Sequence, residues 1–159
     1  MSEELYQEII LDHFKNPRCR GCLNCPHRES CVFNPLCGDK IRLSLNIIDG
    51  RVSEIAFEGE GCAISQASGS MMCSLCKGKC LGDVCALRED FLKVLTLKES
   101  PGENADLGDA QVLEGVKRFP GRVRCAVLAW EALGQCLSEQ CLSEQGLQEK
   151  SCKSTPQPT

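Results

Sequence analysis

The chain has 159 residues, of which 42% are hydrophobic and 25% are charged, and its formal net charge is -4. This length is enough for one domain with a hydrophobic core. The negative charge and the lack of a long basic run in the sequence argue against a nucleic-acid-binding protein, and no apolar stretch is long enough to cross a membrane.

Fourteen cysteines are the anomaly of the composition. The first four residues, Met-Ser-Glu-Glu, are acidic and unlike a signal peptide, so we expect a cytoplasmic protein. In a reducing compartment, many cysteines indicate metal, sulfur or redox chemistry rather than structural disulfides. The number is high even for such chemistry, so some of the cysteines need not belong to a single site.

The hydrophobic pattern of the N-terminal third predicts a helix followed by a long loop. Apolar residues recur at helical spacing over residues 3–15, and Asn16-Pro17 ends the helix. We interpret His13 as a helix-end residue favoured by the helix dipole rather than as a ligand. Residues 18–33 are predicted to be a loop.

A β-hairpin and a series of helices are predicted for the rest of the chain. Residues 41–48 and 51–58 alternate around the turn signal Asp49-Gly50, and Ala63-Ile64 are expected to add a short third strand. Helices are expected at residues 65–77, at residues 82–96 with Cys85 on the buried side, after Asp106 or Asp109, and after Pro120. Residues 97–105 read as a polar linker. The last part of the sequence is polar, and we expect residues 138–159 to be a disordered tail behind a domain of residues 1–137.

The loop at residues 19–31 carries four cysteines and a histidine. Cys19, Cys22 and Cys25 follow a CxxCxxC pattern, with His27 and Cys31 after them. This arrangement is compatible with a zinc or iron–sulfur loop, and also with an exposed loop whose cysteines share no ligand. We favour the second interpretation and expect that the four cysteines together can be replaced by serine without loss of a central metal.

Three other cysteines each lie on a turn bounded by glycine or proline and beside a regular element. Cys37 stands two residues before Asp39, Cys62 precedes a predicted helix, and Cys125 lies near the start of the last helix. A helix N-terminus favours an anion, so the last two are well placed as thiolate ligands. Three sulfurs and one oxygen suit a tetrahedral zinc ion or a cluster with one labile oxygen ligand.

Cys73, Cys76 and Cys80 recur at helical spacing, and we interpret them as small residues of the core rather than as another metal site. Gly78 is expected to end that helix before Cys80.

Several stretches of the chain together resemble a known family, the SufU branch of the IscU-like, NifU N-terminal-like iron–sulfur cluster assembly proteins. The matching stretches are Leu5-Tyr6, Ile9-Ile10-Leu11-Asp12-His13, Asn34-Pro35-Leu36-Cys37-Gly38-Asp39, Phe57-Glu58-Gly59-Glu60-Gly61-Cys62-Ala63-Ile64-Ser65-Gln66-Ala67-Ser68, Ser70-Met71-Met72, Leu107-Gly108-Asp109, Phe119-Pro120-Gly121-Arg122-Val123-Arg124-Cys125-Ala126, Leu128 and Trp130.

The resemblance covers about residues 3–137 and implies an α+β fold, with a small three-stranded antiparallel sheet packed against about five helices. Cluster scaffolds of the IscU type are similar but carry a histidine just before the third cysteine, where this chain has Arg124. The long segment between Cys62 and Cys125 also favours the SufU branch.

The resemblance further implies a zinc-dependent sulfurtransferase that works with a SufS-type cysteine desulfurase and supplies downstream cluster-assembly proteins. It implies that Cys37, Asp39, Cys62 and Cys125 hold Zn²⁺, and that a histidine of the desulfurase displaces Cys37, which then accepts persulfide sulfur. Arg122 is expected near the site, where it steadies thiolate charge or the docked partner. One alternative is an iron–sulfur cluster scaffold or carrier, with a [2Fe-2S] or similar cluster at the same ligands. Another is a structural or redox-storage protein in which the additional cysteines matter more than Cys37.

Overall fold

The computed structural model describes residues 3–36, 38–97 and 107–146, except for the side chains of residues 3, 97 and 139–146. The α+β fold, with its three-stranded antiparallel sheet and its set of about five helices, is confirmed for this part of the chain. In chain order the elements are α1 (Glu3–Lys15), β1 (Arg28–Asn34), β2 (Asp39–Ile48), β3 (Arg51–Glu60), α2 (Ala63–Cys76), α3 (Leu81–Leu92), a π-helical segment (Lys93–Leu97), a 3₁₀ helix (Gly108–Arg118) and α4 (Pro120–Gly146).

The third strand of the sheet is β1, which corrects two expectations. The strand order is β1-β2-β3 with antiparallel pairing throughout. Residues 28–34 pair with β2, although residues 18–33 were predicted to be a loop. Ala63 and Ile64, predicted to be a strand, form the start of α2. The alternation of β1 was hidden because polar residues occupy its inward positions: Ser30 is buried, and its hydroxyl donates a hydrogen bond to the Ala132 carbonyl of α4 at 2.8 Å.

The register of the sheet brings two chain segments together at one end. Asn34 pairs with Asp39 across the β1–β2 turn, and Lys40 pairs with Glu60 at the end of β3. The opposite end is closed by the predicted Asp49-Gly50 turn between β2 and β3. The first residues of β2 therefore lie beside the residues that lead from β3 into α2.

Helices α2 and α4 pack on each other through a polar contact inside an apolar core. The Trp130 indole N–H of α4 donates to the Ser68 hydroxyl of α2 at 3.1 Å, and that hydroxyl donates to the Ala126 carbonyl at 2.6 Å. The Trp130 ring also stacks on Phe91 of α3, with centroids 4.2 Å apart. These buried hydrogen bonds fix the relative positions of the two helices that carry Cys62 and Cys125.

The remaining helices agree with the sequence in part. Cys73 and Cys76 are buried core residues as predicted, and α2 ends at Cys76 before Gly78. Cys85, expected on the buried side of α3, is exposed, because Val84 and Leu87 take the inward positions. Helix α3 itself gives way to the π-helical segment at Lys93, and most of the predicted linker at residues 97–105 lies outside the described residues.

Helix α4 extends beyond residue 137, where we placed the end of the domain. It continues to Gly146, and the side chains of Cys136 and Leu137 are buried against the core. The part of the predicted tail from residue 147 to residue 159 lies outside the described residues.

Within the residues that the structure describes, no helix combines the length and the apolar character that crossing a membrane requires.

Candidate metal centre

Asp39 is a fully buried carboxylate at the first position of β2. The preceding turn is closed by two hydrogen bonds to Asn34: the Gly38 N–H donates to its carbonyl at 2.8 Å, and the Leu36 N–H donates to its side-chain oxygen at 3.1 Å. Gly38 has φ of +77°, a left-handed conformation that glycine adopts without steric cost. A short local turn thus delivers the carboxylate to the end of the sheet.

Cys62 meets Asp39 from the start of α2. Its backbone N–H donates to Asp39 Oδ1 at 2.9 Å, and its thiol donates to Asp39 Oδ2 at 3.6 Å. Cys62 is the residue that precedes the first turn of α2, and the Ser65 hydroxyl donates to its carbonyl at 3.1 Å. Both the carboxylate and the thiol are therefore anchored through backbone hydrogen bonds rather than through flexible side-chain contacts alone.

Gly61 permits this close approach. Its φ is +134°, and a Cβ built at this position would lie 2.1 Å from Asp39 Oδ1. A distance that short is a steric overlap that any larger residue would have to relieve by moving the carboxylate or the chain. The glycine is thus a local sequence requirement of the contact between β2 and α2.

Cys125 reaches the same place from α4. It is buried, and its thiol points along the helix toward the Gly121 carbonyl at 3.9 Å. The next residue, Ala126, accepts the hydrogen bond from Ser68 that ties α4 to α2. Packing of these two helices therefore sets the distance between Cys125 and Cys62.

The structure brings together three of the four predicted ligands. One carboxylate oxygen of Asp39 and the sulfurs of Cys62 and Cys125 all lie within 4.8 Å of one another. In a tetrahedral zinc site with bonds of about 2.0–2.3 Å, neighbouring ligand atoms are roughly 3.5 Å apart, so small side-chain movements suffice. Two thiols and a carboxylate are also the ligand types that zinc takes in proteins. The residues present fit a zinc ion.

Cys37, the fourth predicted ligand, lies outside the described residues. Its assignment as a ligand and as the sulfur acceptor stays a prediction.

Arg122 and Arg124 are both exposed on the first turns of α4. The Arg122 N–H donates to the Phe119 carbonyl at 2.7 Å, a contact that begins the helix. Arg122 precedes Cys125 by three residues on α4, and both its expected place near the site and its role stay predictions.

The cysteine-rich loop does not assemble a second group of ligands within the residues that the structure describes. Cys22, Cys25 and Cys31 are exposed, and Cys19 is half-buried. His27 has a structural role: its Nδ1 accepts a 2.9 Å hydrogen bond from the Ile47 N–H, at the irregularity of β2 between Asn46 and Ile47.

A buried polar network that we did not predict lies between α1, α2 and the 3₁₀ helix. His13 is only 2% exposed rather than at a solvated helix end, and its ring contacts Ser70 Oγ through Nδ1 and Asp109 Oδ2 through Nε2, both at 2.8 Å. Since a carboxylate only accepts, Nε2–H donates to Asp109, and the Ser70 hydroxyl donates to Nδ1. The Arg18 N–H in turn donates to Ser70 Oγ at 2.8 Å. The sequence offered one indication of this network: His13 and Asp109 both lie in stretches that resemble the family.

The fold and the site together define a class: a small α+β domain that gathers a carboxylate and cysteine thiols at the end of a three-stranded sheet. The family model for the NifU-like N-terminal domain matches residues 5–138. The chain therefore belongs to the NifU-like N-terminal domain family, and the resemblance to its SufU branch is confirmed by the relatives that follow.

Curated relatives of the chain cover nearly its whole length. The chain is 41% identical over 141 residues to the zinc-dependent sulfurtransferase SufU of Bacillus subtilis, a match that spans 87% of this chain and 92% of the relative. It is 38% identical over 133 residues to the iron–sulfur cluster assembly scaffold protein IscU of Streptococcus pyogenes, which spans 84% and 82% of the two chains.

A crystal structure of a SUF-system protein from Fervidobacterium islandicum has the same fold. It superposes with a TM-score of 0.78 at 29% identity, over 86% of this chain and 99% of that one.

Proposed function

We propose that this chain is a zinc-dependent sulfurtransferase of iron–sulfur cluster assembly, which accepts persulfide sulfur from a SufS-type cysteine desulfurase on Cys37. The observation that carries the proposal is the convergence of Asp39, Cys62 and Cys125 within 4.8 Å, in a chain 41% identical to SufU of Bacillus subtilis. We further propose that Cys37 completes this set of ligands for Zn²⁺.

When bound, zinc supplies a positive charge that keeps its cysteine ligands deprotonated without itself being oxidised or reduced. The residues of the chain provide the rest. Asp39 and Cys62 are held rigidly to each other by the 2.9 Å hydrogen bond from the Cys62 N–H. The two neighbours of Cys37 in the sequence, Leu36 and Gly38, are instead exposed. This contrast supports Cys37 as the residue that reacts.

The sulfur transfer is a thiol exchange that balances without an external oxidant. The Cys37 thiolate attacks the outer sulfur of the desulfurase persulfide, and a new S–S bond forms between Cys37 and that sulfur. The S–S bond of the desulfurase persulfide breaks, and the desulfurase cysteine leaves as a thiolate. The product is a persulfide on Cys37, ready for a later acceptor in cluster assembly.

Exposed apolar side chains occur in the segments that precede the proposed ligands Cys37 and Cys125, as suits contact with a protein partner. Leu36 is 88% exposed beside Cys37, Phe33 is 58% exposed on β1, and Phe119 is 49% exposed just before α4. Large exposed apolar side chains are typical of interaction surfaces. We propose that the exposed Arg122 steadies the docked desulfurase or the thiolate.

The alternative function is an iron–sulfur cluster scaffold that uses the same ligands. It is favoured by the similarity to the IscU scaffold protein of Streptococcus pyogenes, and cysteine thiolates also bind clusters. Arg124, at the position where such scaffolds carry a histidine, argues for zinc.

Metal analysis and a desulfurase assay on the same preparation test the proposal. We expect a colourless protein after anaerobic purification, with about one zinc per chain, that stimulates sulfur release by the desulfurase. A brown protein with visible absorbance and iron in place of zinc supports the scaffold.

The Cys37→Ala variant distinguishes the proposed acceptor from other cysteines. Its matched control is Cys85→Ala, which changes an exposed cysteine of α3. We expect loss of stimulation only in Cys37→Ala. Full stimulation by Cys37→Ala favours a structural or redox-storage protein, in which the additional cysteines matter more than Cys37.

A further inference from the structure

A pair of thiols lies between the cysteine-rich loop and α2, apart from the candidate metal centre. The side chain of Cys19, at the start of the loop, packs against the buried core cluster that contains Cys73 of α2, and the Cys73 thiol is placed to donate a hydrogen bond to Cys19. Cys73 is completely buried, while Cys19 is half-buried and therefore reachable from solvent. The other loop cysteines whose exposure is described, Cys22, Cys25 and Cys31, are exposed.

The backbone around Cys19 is fixed on both sides, so this contact does not depend on a loose loop. The Arg18 N–H donates to Ser70 Oγ at 2.8 Å, and Ser70 lies one turn before Cys73 on α2. The Cys19 carbonyl accepts a 3.0 Å hydrogen bond from the Phe57 N–H. Cys19 also has φ of +61°, a left-handed conformation that is uncommon outside glycine and that the surrounding hydrogen bonds maintain.

The pair is separate from the metal centre. Cys73 follows Cys62 by eleven residues along the chain, and nearly all of this stretch is helical. At 1.5 Å per residue this corresponds to roughly 16 Å along the helix axis. Neither thiol belongs to the group formed by Asp39, Cys62 and Cys125.

We propose that Cys19 and Cys73 form a reversible disulfide site, in which Cys19 reacts with a small-molecule disulfide of the glutathione class and Cys73 completes the intramolecular bond. Forming the bond requires the two sulfurs to approach to about 2.05 Å, which side-chain rotation achieves from a hydrogen-bonded starting position. The bond would join the loop covalently to the centre of α2.

The reaction proceeds in two balanced exchanges. The Cys19 thiolate attacks one sulfur of the oxidant, a Cys19–sulfur bond forms, and one small thiolate leaves. The Cys73 thiol then loses its proton to solvent or to the released thiolate and attacks the Cys19 sulfur, which expels the second small thiolate. The protein has lost two electrons and two protons, and the oxidant has become two thiols.

The unequal environments of the two thiols fix the order of these steps. The hydrogen bond from Cys73 lowers the pKa of Cys19 from 9.0 to about 6, and the positive charge of Lys77 acts in the same direction. Burial raises the pKa of Cys73 well above its ordinary value, and the hydrogen bond and charge of Cys19 raise it further. Once Cys19 is bound to the small thiol it carries no negative charge, so it no longer raises the pKa of Cys73 through that charge.

The test uses the full chain loaded with one equivalent of zinc and incubated with oxidised glutathione at graded ratios to reduced glutathione. Free thiols are then blocked with iodoacetamide, and tandem mass spectrometry locates the disulfides. Metal released during oxidation is measured in the same samples with a chromogenic chelator. We expect a Cys19–Cys73 linkage with a mass loss of about 2 Da while the zinc stays bound.

Cys19→Ser and Cys73→Ala are the test variants, and Cys76→Ala, which removes the neighbouring buried thiol, is the matched control. We expect the linkage in the parent and in Cys76→Ala, and an accumulation of glutathione-bound Cys19 in Cys73→Ala. Cys19→Ser changes a half-buried loop residue, so it keeps the test valid if Cys73→Ala fails to fold.

Three results overturn the proposal: a linkage between Cys19 and another loop cysteine in place of Cys73, stable glutathione on Cys19 of the parent with Cys73 reduced, or a linkage that forms only after the zinc is lost. None of these readouts depends on the desulfurase, so the proposed sulfur transfer stands or fails separately.

Discussion

The backbone N–H of Cys62 donates a 2.9 Å hydrogen bond to Oδ1 of the buried Asp39, and this contact joins the start of α2 to the start of β2. One carboxylate thus has two tasks. Oδ1 satisfies the backbone of the residue that precedes the helix, while Oδ2 faces the Cys62 thiol at 3.6 Å. The candidate metal centre and the junction between sheet and helix share this side chain, and substitutions at Asp39 can separate the proposed metal binding from the structural hydrogen bond.

We expect Asp39→Asn to weaken zinc binding at least about tenfold while the fold is kept. The amide oxygen of asparagine still accepts the hydrogen bond from Cys62, but the neutral side chain is a poor zinc ligand. Competition with a chelator of known affinity measures the change, and circular dichroism checks the fold. Glu60→Gln is the control, because Glu60 is an exposed carboxylate at the end of β3. Equal zinc affinity in Asp39→Asn and the parent would exclude Asp39 as a ligand.

Gly61→Ala is expected to lower both zinc affinity and stability. The new Cβ would overlap Asp39 Oδ1, and alanine at a φ of +134° is strained, which together cost roughly 1–3 kcal/mol. Chemical denaturation gives the free energy of unfolding, and metal titration gives the affinity. The control is Gly82→Ala on α3, where nothing lies within 4 Å of the added Cβ and the free energy is expected to stay or to rise slightly. Zinc affinity and a free energy of unfolding equal to those of the parent in Gly61→Ala contradict this prediction.

Arg122→Ala is expected to reduce stimulation of the desulfurase with little effect on zinc content. Arg122 is exposed at the start of α4, so its removal costs little stability and takes away a positive charge from the proposed docking face. Arg124→Ala removes a second exposed arginine from the same turn and is the matched control. Activity measured against desulfurase concentration distinguishes weaker docking from slower transfer. If both variants lose the same amount, the effect belongs to net charge and the specific role of Arg122 is wrong.

His13→Ala is expected to lower the free energy of unfolding by roughly 2–4 kcal/mol. The substitution leaves a cavity between α1 and α2 and deprives Ser70 and the partly exposed Asp109 of their common partner. Lys15→Ala, at an exposed position of the same last turn, is the control and is expected to change stability by less than about 0.5 kcal/mol. A loss in His13→Ala no larger than that of the control would show that the network contributes no stability.

The rate at which Cys19 reacts with iodoacetamide is expected to reach half of its maximum near pH 6. The lowered pKa means that the reactive thiolate predominates above that pH and is lost only as the pH falls through it. In Cys73→Ala the largest cause of the lowered pKa is absent, so the midpoint rises toward 9.0. Mass spectrometry with site assignment measures the rate of alkylation at Cys19. The exposed Cys22 in the same samples is the internal reference for the reactivity of the reagent. An unchanged midpoint in Cys73→Ala contradicts the hydrogen bond between the two thiols.

The predictable parts of the fold are those that neighbouring residues specify. The helix at residues 3–15 and the hairpin around Asp49-Gly50 follow from hydrophobic period and turn residues. Strand β1 was missed because a polar residue at an inward position breaks the apolar alternation, and the buried Ser30 finds its partner, the Ala132 carbonyl, only after the chain has folded. The side of α3 that holds Cys85 was misassigned for a related reason, since cysteine is compatible with either face.

By itself, the sequence determined the kinds of ligand and their local settings: a carboxylate after a glycine turn, a cysteine before a helix and a cysteine near the start of another. It also determined the family, because the matching stretches are specific in combination. Only the tertiary structure decided that Asp39, Cys62 and Cys125 meet, that His13 is buried between Ser70 and Asp109, and that Cys19 contacts Cys73. These partners are far apart along the chain, and their distances are set by how α1, α2 and α4 pack with the sheet and the 3₁₀ helix, which no local pattern encodes.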